Sequence, residues 1–504
     1  MEKEDEDTQE SQNTEPVIAK KQKSIKLNLI MNITVTAVLA FFPLITFPYI
    51  ARVLSPEGIG AVSFITAIIA YFTLFACLGI PVYGIRACAK VRDDKEKLSK
   101  TVQELLIINL IFAFFSYCVL GLCLLVIDKM QQELLLTLIL SFSILLTSVS
   151  LSWFFQAIEE YVFITIRTII VNIIALIALF IFVKTKNDYV IYALITILAN
   201  CGTSLLNLLY SRKFISFKKK GKYNLKQHLK PIFVFFMLAG AISIYTNLDK
   251  LMLGFMLNDG NYNNGIYEAC LKIYRLCTGI VTAFGVVLLP RIIYYYKNND
   301  TEKINDLLKK AVNFVFILSI PIIVFLFVFA KDIIILLGGN EFINSVKPLR
   351  ILLFGILLIG LNNITGFLML TATNREKYFA LSVVIGAFVN ATLNAFLIPI
   401  YGAVAVAISV IVAELIILAV QCIILRKELI PLITSIRIIK LATLTLCLSV
   451  AIYACSFINL SLFLNIMFAL FAGGIVYFGI LLIFREQMLM FILNILFKKL
   501  LRRK

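Results

Sequence analysis

The sequence contains few charged residues, one histidine and one tryptophan. Only 15% of its 504 residues are Asp, Glu, Lys or Arg, whereas roughly 25% is usual in soluble globular proteins. Hydrophobic residues make up 61% of the chain. They fall in blocks of roughly 18 to 25 residues, the length at which an α-helix crosses a bilayer. These observations predict an all-α polytopic membrane protein.

Motifs for nucleotide hydrolysis, metal binding and catalysis are missing from the sequence. No GxxxxGK(S/T) phosphate loop occurs, so we expect no ATP hydrolysis by this chain. The ten cysteines fall almost all inside apolar blocks, without zinc-site spacing, and are expected to be small core residues. The predicted outer loops are short, and the paired carboxylates of a membrane glycosyl-transferring enzyme are lacking. We therefore expect no catalytic site, no metal and no cofactor.

Hydropathy along the chain predicts about fourteen membrane-spanning helices. An even number of spans places both chain ends on the same side of the membrane. The predicted spans are 27–51, 58–82, 104–126, 134–156, 163–184, 189–211, 231–256, 265–289, 312–335, 347–372, 378–400, 402–425, 441–458 and 462–484.

The loops on one side of these spans hold most of the basic residues, and we call this the basic side and the other the opposite side. The positive-inside rule makes the basic side, with both termini, cytoplasmic. The net charge of +18 is therefore assigned to membrane orientation, and no nucleic acid is expected as a partner. The basic side holds Arg86, Lys90, Arg92, Lys95, Lys97, Lys100, the segment 212–230, Arg291, Lys297, Lys303, Lys309, Lys310, Arg426, Lys427, Arg437, Lys440 and FKKLLRRK, whereas the opposite side holds Arg52, Lys129, Lys184, Lys186 and Lys331.

A faint internal repeat predicts how the chain is organised. The segment ARVLSPEGIGAVSF follows the first span, and GFMLNDGNYNNGIYEA follows the seventh. Two pseudo-repeated six-helix bundles, with two additional C-terminal helices, are therefore expected. The predicted units are a disordered cytoplasmic tail at 1–26, bundles at 27–211 and 231–425 joined by a basic linker at 212–230, two further spans at 426–484, and a basic tail at 485–504.

Two further expectations concern proline and histidine. Pro43 and Pro48 lie inside the first span, and they predict either a broken helix that lines a cavity or a simple kink. The single His228 lies in the basic linker and is expected to be a solvated loop residue.

Four segments of the sequence resemble a known family. They are FPYIARVLSPEGIGAVSF (47–64), WFFQAIEEYVFITIRTII (153–170), NLDKLMLGF (247–255) and PIYGAVAVAISVIVAEL (399–415). In this order they resemble the polysaccharide-biosynthesis (Wzx-type) oligosaccharide flippases of the multidrug/oligosaccharidyl-lipid/polysaccharide exporter superfamily. The similarity extends from about residue 27 to 425.

The resemblance implies both an architecture and a substrate. It implies two six-helix bundles around a cavity that opens alternately to either side of the cytoplasmic membrane. The implied cargo is an undecaprenyl-pyrophosphate-linked oligosaccharide, with membrane lipids in contact and a polysaccharide polymerase as a candidate partner. A multidrug or small-cation exporter of the same superfamily is the alternative. Such an exporter should have a cavity that is apolar or dominated by carboxylates.

Charged residues interrupt the seventh and eighth spans. Asp249 and Lys250 lie in the stretch GAISIYTNLDKLMLGFML. Asp249 is about 10 Å from the end of this span that lies on the opposite side of the membrane. In the eighth span, polar residues share an arc of about 80° on one helical face. A charge at mid-helix costs about 2.5–3.5 kcal/mol, so this stripe should face protein or water. Its members are Glu268, Lys272, Arg275, Gly279 and Thr282.

Two interpretations of these charges remain open. One is a buried ion-pair cluster, in which Glu268 pairs with Lys272, Asp249 pairs with Lys272 or Arg275, and Lys250 reaches the outer interface. The other is a cationic lining for a pyrophosphate and sugar headgroup, because Arg grips phosphate oxygens in a fork. The residues assigned to that lining are Lys272, Arg275, Lys250, Arg86, Arg52 and Tyr274, with Asp249, Glu268 and Glu414 as ion-coupling or charge-balancing carboxylates.

Other polar residues are ambiguous in the same way. Arg52 and Glu57 flank an outer turn, where they predict a loop salt bridge or a binding role. Arg86 and Arg167 either meet a headgroup or add to the positive-inside bias. Glu414 is expected either to bond structurally, with Asn390 and Asn394 as candidate partners, or to titrate during ion coupling.

Overall fold

The computed structural model describes residues 25–218, 221–433, 438–457 and 461–484. Within these ranges the chain is helical and forms no β-strand. Twelve helical segments are long and apolar enough to cross a membrane. Two more helices, Lys226–Met256 and Ile438–Cys455, lie where the seventh and thirteenth spans were predicted. The all-α polytopic fold is therefore confirmed, and fourteen spans agree with it. The predicted tail at 485–504 and residues 1–24 lie outside the described ranges.

We call residues 25–218 the N-terminal half and residues 221–433 the C-terminal half. The helices of the N-terminal half are α1 (Ile25–Val53), α2 (Pro56–Cys77), α3 (Ile80–Lys90), α4 (Lys95–Val126), α5 (Asp128–Gln132), α6 (Leu134–Ser148), α7 (Ser152–Ala157), α8 (Tyr161–Phe182), α9 (Tyr189–Cys201) and α10 (Thr203–Ser211). The helices of the C-terminal half are α11 (Lys226–Met256), α12 (Gly260–Lys297), α13 (Thr301–Val328), α14 (Ala330–Gly338), α15 (Val346–Asn362), α16 (Glu376–Tyr401), α17 (Ala403–Ile424) and α18 (Arg426–Ile433). A π-helical turn, Asn363–Leu370, continues α15, and α19 (Ile438–Cys455) and α20 (Leu462–Ile483) follow.

The proline-containing first span is not broken. Helix α1 runs continuously from Ile25 to Val53 through Pro43 and Pro48, so the broken-helix alternative is wrong there. A proline removes one hydrogen bond from the helical ladder, and the rest of the ladder holds the helix together. Other predicted spans are interrupted instead. The second divides into α2 and α3 at Leu78, whose φ is 47°, the fourth divides into α6 and α7, and the sixth divides into α9 and α10.

Polar caps mark where helices begin outside the predicted spans. Asp94 precedes α4 and accepts hydrogen bonds from the backbone N–H groups of Glu96 and Lys97, each 3.0 Å long. These bonds, chiefly the one from Lys97, lower the pKa of the Asp94 carboxyl. Helix α4 has 32 residues, about 48 Å at 1.5 Å per residue, so it extends beyond the hydrocarbon layer.

The two halves meet through α2 and α12, the helices that begin in the two repeat segments. Their backbones touch at glycines. A Cβ atom added to Gly60 would lie 1.6 Å from the carbonyl oxygen of Asn261, and one added to Gly265 would lie 1.9 Å from that of Pro56. Only glycine fits at such a distance. One turn beyond Gly60, this close crossing places Ser63 of α2 beside Glu268 of α12.

The predicted basic linker, residues 212–230, lies on α4 at the positions that the structure describes. Its backbone N–H at Ser216 donates to Ser99, and that at Asn224 donates to Glu104. His228, expected in solvent, is buried in the first turn of α11, which begins inside the predicted linker. Its Nε2 lies 2.8 Å from Glu104 Oε2, and its Nδ1 lies 2.9 Å from Tyr83 Oη. The solvated-loop prediction is therefore wrong, because two partners separated by many residues bind the imidazole.

Candidate functional site

The charges that interrupt the seventh and eighth spans form a network around Glu268. Glu268 lies on α12 and is buried. Its Oε2 lies 2.6 Å from Lys250 Nζ, and its Oε1 lies 3.0 Å from Lys272 Nζ. Ser63 of α2 donates a 3.1 Å hydrogen bond to Oε2. One carboxylate thus holds two cations and one residue of the other half of the molecule.

Asp249 belongs to a separate network, although it precedes Lys250 in the chain. Tyr267 Oη donates to its Oδ2 at 2.9 Å, and Asn394 Nδ2 donates to its Oδ1 at 2.8 Å. Successive residues on a helix point about 100° apart, which separates the two side chains. The expected pairing of Asp249 with Lys272 or Arg275 is not formed. Lys250 does not reach the outer interface, because it is buried against Glu268.

Arg275 is the cation of this region that remains exposed. It lies one turn after Lys272 on α12, and none of the described carboxylates forms an ion pair with it. One turn further along, a Cβ atom added to Gly279 would meet no atom within 4 Å. This face of α12 therefore borders open space at Gly279, and the guanidinium of Arg275 lies one turn before that glycine. The ion-pair cluster and the exposed cation exist side by side.

Tyr274, expected to line the cavity, points the other way. It is buried, and a Cβ atom added to Gly355 would lie 2.4 Å from its hydroxyl oxygen. Among the described residues this hydroxyl has no hydrogen-bond partner. Tyr274 therefore packs inside the C-terminal half. It comes directly before Arg275 in the chain, and because successive residues of a helix point about 100° apart, one of the two can be buried while the other is exposed.

Glu414 is also inside the C-terminal half. Asn362 Nδ2 donates to its side-chain Oε2 at 2.6 Å and to its backbone carbonyl at 3.1 Å. The candidate partners Asn390 and Asn394 were wrong, because Asn394 bonds Asn390 and Asp249 instead. The hydrogen-bond donor to Glu414 is therefore Asn362 of α15, a residue that the sequence analysis did not single out.

Arg52 and Arg86 lie at opposite ends of the molecule. Arg52 Nη2 donates to the carbonyl of Leu336 in α14 at 2.7 Å, so the loop salt bridge predicted with Glu57 is not observed. Arg86 is exposed on α3, with its guanidinium carbon 4.9 Å from the ring centre of Phe235 in α11. The structure therefore brings together Lys250, Glu268, Lys272 and Arg275, but not Arg52, Arg86, Tyr274 or Glu414.

On the opposite side of the membrane, polar contacts join the halves. Lys186 Nζ lies 2.6 Å from Glu341 Oε1. Asn261 Nδ2 donates to Glu133 Oε1 at 3.2 Å, and the ammonium group of Lys129 donates to the carbonyls of Gly254 and Leu257. Together with the Arg52 contact, these bonds join the two halves on that side.

Sequence reasoning missed three partners of the central charges. Ser63, Tyr267 and Asn394 are neutral, and each lies on a helix other than that of the charge it binds. Helical periodicity relates residues on one helix but gives no information on which faces of two helices meet. The small residues of the segment SPEGIGAVSF were the available signal, because they permit the close α2–α12 contact.

The fold is similar to that of two solved transporters. The lipid II flippase MurJ, in an inward closed conformation, matches with a TM-score of 0.69 and 19% identity, covering 91% of this chain and 99% of that one. A multidrug resistance MATE family transporter of the MOP superfamily, in an inward-facing conformation, matches with a TM-score of 0.60 and 13% identity. It covers 80% of this chain and 99% of that one. At these identities the comparison shows the fold alone.

Sequence relatives agree with the resemblance stated above. A protein of Escherichia coli (strain K12) named "Putative O-antigen transporter" is 23% identical over 409 residues, which are 80% of this chain and 98% of that protein. A protein of Shigella dysenteriae with the same name is 27% identical over 403 residues, 78% of this chain and 98% of its own length. The family model described as "Polysaccharide biosynthesis protein" matches residues 25–296, more than half of the chain. The chain is therefore a multi-pass membrane protein that belongs to the polysaccharide biosynthesis protein family.

Proposed function

We propose that this protein is a flippase that moves an undecaprenyl-pyrophosphate-linked oligosaccharide across the cytoplasmic membrane for surface polysaccharide biosynthesis. One observation carries the proposal: Arg275 is exposed and without an ion-pair partner beside a buried network that already holds two lysines. Lys250 and Lys272 share a single carboxylate, Glu268, and Arg275 adds a third positive charge beside them, so this network has a surplus of positive charge. Charged residues inside a membrane-spanning segment more often mark a substrate or ion pathway than serve a purely structural role.

The surplus charge suits a pyrophosphate. A guanidinium binds phosphate oxygens through a planar fork of N–H donors. Lys272 is partly exposed and adds a second positive charge one turn away. In this proposal the headgroup enters from the basic side, which we take as cytoplasmic, while the polyprenyl tail stays in lipid. Arg86 on the basic side meets the headgroup on entry.

The positions at which the halves are joined support alternating access as the mechanism. The contacts of Arg52, Lys129 and Lys186 close the opposite side, so release there requires that they break. The Gly60 and Gly265 contact gives α2 and α12 a close crossing about which the halves can rock. Asp249, which accepts hydrogen bonds from Tyr267 and Asn394, and Glu414, which accepts one from Asn362, are buried and are the candidates for binding the coupling ion. A polysaccharide polymerase on the outer side would remove the product.

The runner-up is export of a drug or small cation, which the likeness to a MATE transporter supports. A cationic cargo would require carboxylates on the exposed face. The exposed charge on α12 is instead a guanidinium, and the carboxylate beside it is paired with two lysines. The charge of the site therefore favours an anionic cargo.

The test is complementation of a strain depleted of the protein. Depletion should cause lipid-linked repeat units to accumulate while surface polysaccharide falls. We expect Arg275→Ala to fail to rescue and Arg275→Lys to rescue partly, because Lys keeps the charge but lacks the fork. Arg291→Ala, on the same helix near the basic side, is the matched control and should rescue.

Membrane levels of each variant must equal those of the unmodified protein. Full rescue by Arg275→Ala would remove the proposed headgroup site. Drug sensitivity on depletion, without accumulation of lipid-linked sugar, would favour the exporter.

A further inference from the structure

A second positive charge is buried far from the central network, at Arg167 in α8. Its guanidinium donates to the carbonyl of Thr203 and to the hydroxyl of Ser152, both at 3.4 Å. Its Nε, which is buried, has no partner. None of the described carboxylates forms an ion pair with Arg167. Its guanidinium carbon also lies 5.8 Å from the ring centre of Phe155 and 5.3 Å from that of Phe163. Long hydrogen bonds and aromatic rings do not supply a counter-ion, and a buried guanidinium without one is costly in a membrane.

Arg167 lies in the wall of a groove on the outer surface of the N-terminal half. The groove lies between α8 and α10 and has a volume of about 470 Å³. Its apolar wall faces outward, with Ile166, Ile170, Leu206 and Leu209 exposed by 52%, 49%, 39% and 59%. The remaining polar side chain in the groove is Tyr210. The chemistry of the groove therefore fits a molecule with an apolar chain and one anionic group.

The position of the guanidinium along α8 indicates the depth of that anionic group. Arg167 lies six residues after Tyr161, where α8 begins on the basic side, so its Cα is about 9 Å into the helix. Helical side chains point back toward the N-terminus. The guanidinium carbon lies 5.3 Å from the ring centre of Phe163, one turn earlier, and so follows this rule. The charge is thereby displaced toward the headgroup layer of the basic-side leaflet.

A second cation lies near the end of the groove. Lys213 follows α10, and its ammonium nitrogen lies 5.8 Å from the ring centre of Tyr210. Lys213 is exposed at the membrane surface on the basic side. Lysine and arginine near the surface of an anionic leaflet each contribute about 1 kcal/mol of attraction. The positive charge at this end of the groove is therefore matched to a negatively charged lipid.

We propose that this groove binds one anionic glycerophospholipid of the basic-side leaflet, with its phosphate on Arg167. The phosphate supplies the counter-ion that the protein lacks, and one acyl chain lies along Ile166, Ile170 and Leu206. Phosphate matches the fork of the guanidinium, whose N–H donors are incompletely used. Free phosphate shares this chemistry but has no chain for the apolar wall. The site is separate from Arg275 and does not depend on the transported substrate.

The experiment measures lipid binding to the full-length protein, delipidated in detergent, by native mass spectrometry. The probes are phosphatidylglycerol and phosphatidylcholine with identical acyl chains. We expect at least about five-fold tighter binding of phosphatidylglycerol at one site. Arg167→Gln should abolish that preference, and Arg167→Lys should retain part of it. Lys184→Gln, exposed beyond the opposite end of α8, is the matched charge control and should leave it unchanged.

Two further arms keep the result decisive. Ile170→Trp fills the groove on its outward side without altering the guanidinium, so it should weaken phosphatidylglycerol binding even if Arg167→Gln misfolds. Inorganic phosphate is titrated as a competitor, and we expect it to displace little lipid. Equal binding of the two lipids, or unchanged preference in both Arg167→Gln and Ile170→Trp, would overturn the proposal. Complete displacement by inorganic phosphate would also overturn it, in favour of a free-anion site.

Discussion

Asp249 and Glu268 are buried to nearly the same degree, 5% and 7% exposed, on two helices of one hairpin, but their partners differ in kind. Glu268 bonds the ammonium groups of Lys250 and Lys272. Asp249 bonds a phenol and an amide. Two ammonium groups balance the charge of Glu268, whereas the phenol and the amide that bond Asp249 are neutral and supply no full positive charge. The comparison separates a carboxylate that is paired with two fixed cations from one whose hydrogen-bond partners are neutral.

The same comparison explains why two adjacent charges, Asp249 and Lys250, interrupt the seventh predicted span. Asp249 and Lys250 are adjacent, yet they contribute to networks on different faces of α11. Asp249 connects α11 to α12 and α16 inside the C-terminal half. Lys250, through Glu268, reaches Ser63 in the N-terminal half. We therefore expect changes at Glu268 to affect the packing of the halves, and changes at Asp249 to affect ion coupling.

The largest effect should come from Glu268→Gln. This change leaves buried Lys250 and partly exposed Lys272 without a counter-charge, and breaking a buried pair such as Lys250–Glu268 costs about 3–5 kcal/mol. Thermal unfolding of the purified protein in detergent measures the loss. The double variant with Lys250→Met also removes one of the two cations, and it should recover part of the stability. Unfolding of Glu268→Gln at the same temperature as the unmodified protein would show that the cations find other partners.

Gly60→Ala should separate α2 from α12 without altering any charge. The added Cβ atom would lie 1.6 Å from the carbonyl oxygen of Asn261, so the helices must move apart. Overpacking of this kind costs about 1–3 kcal/mol. It also draws Ser63, one turn later, away from Glu268. Gly121→Ala in α4 is the matched control, because its Cβ would meet no atom within 4 Å. In the same unfolding measurement, Gly60→Ala should be less stable than Gly121→Ala. Equal stability of the two variants would mean that the helix crossing adapts to the added methyl group.

The fold could be predicted largely from hydropathy, whereas the pairing of charges could not. Span length and the 3.6-residue period are local properties, and they located the spans and the polar stripe on α12. The Glu268–Lys272 pair was found for the same reason, since i and i+4 lie on one face. The partners Asn362 of Glu414 and Asn394 of Asp249 lie on other helices, where only packing decides.

The direction of a side chain was predicted less well than its position along a span. Tyr274 and Arg275 are adjacent, but one is buried against Gly355 and the other is exposed. His228 was placed in solvent from the basic composition around it, although Glu104 and Tyr83 bury it. Composition describes a segment as a whole, whereas burial depends on the face that each residue presents.

Asp249→Asn should lower stability much less than Glu268→Gln. Asparagine keeps one acceptor for Tyr267 or Asn394 and adds no unpaired charge, so we expect a loss of about 0.5–1.5 kcal/mol. If Asp249 carries the coupling ion, accumulation of lipid-linked repeat units should nevertheless rise as in the depleted strain. The pair of measurements, unfolding and accumulation, separates the two roles. A loss of stability as large as that of Glu268→Gln would mean that the Asp249 charge is itself structural.

The smallest effect should come from the exposed pair Lys186–Glu341, whose side chains are 63% and 50% exposed. Such pairs contribute about 0.2–1 kcal/mol, because water screens them. Lys186→Glu should therefore shift unfolding only slightly, and the charge exchange Lys186→Glu with Glu341→Lys should restore it. The shift should vanish at 1 M salt, where the Debye length falls to about 3 Å. A salt-resistant loss as large as that of Glu268→Gln would instead mean that this exposed contact, and not the buried carboxylate, holds the two halves together.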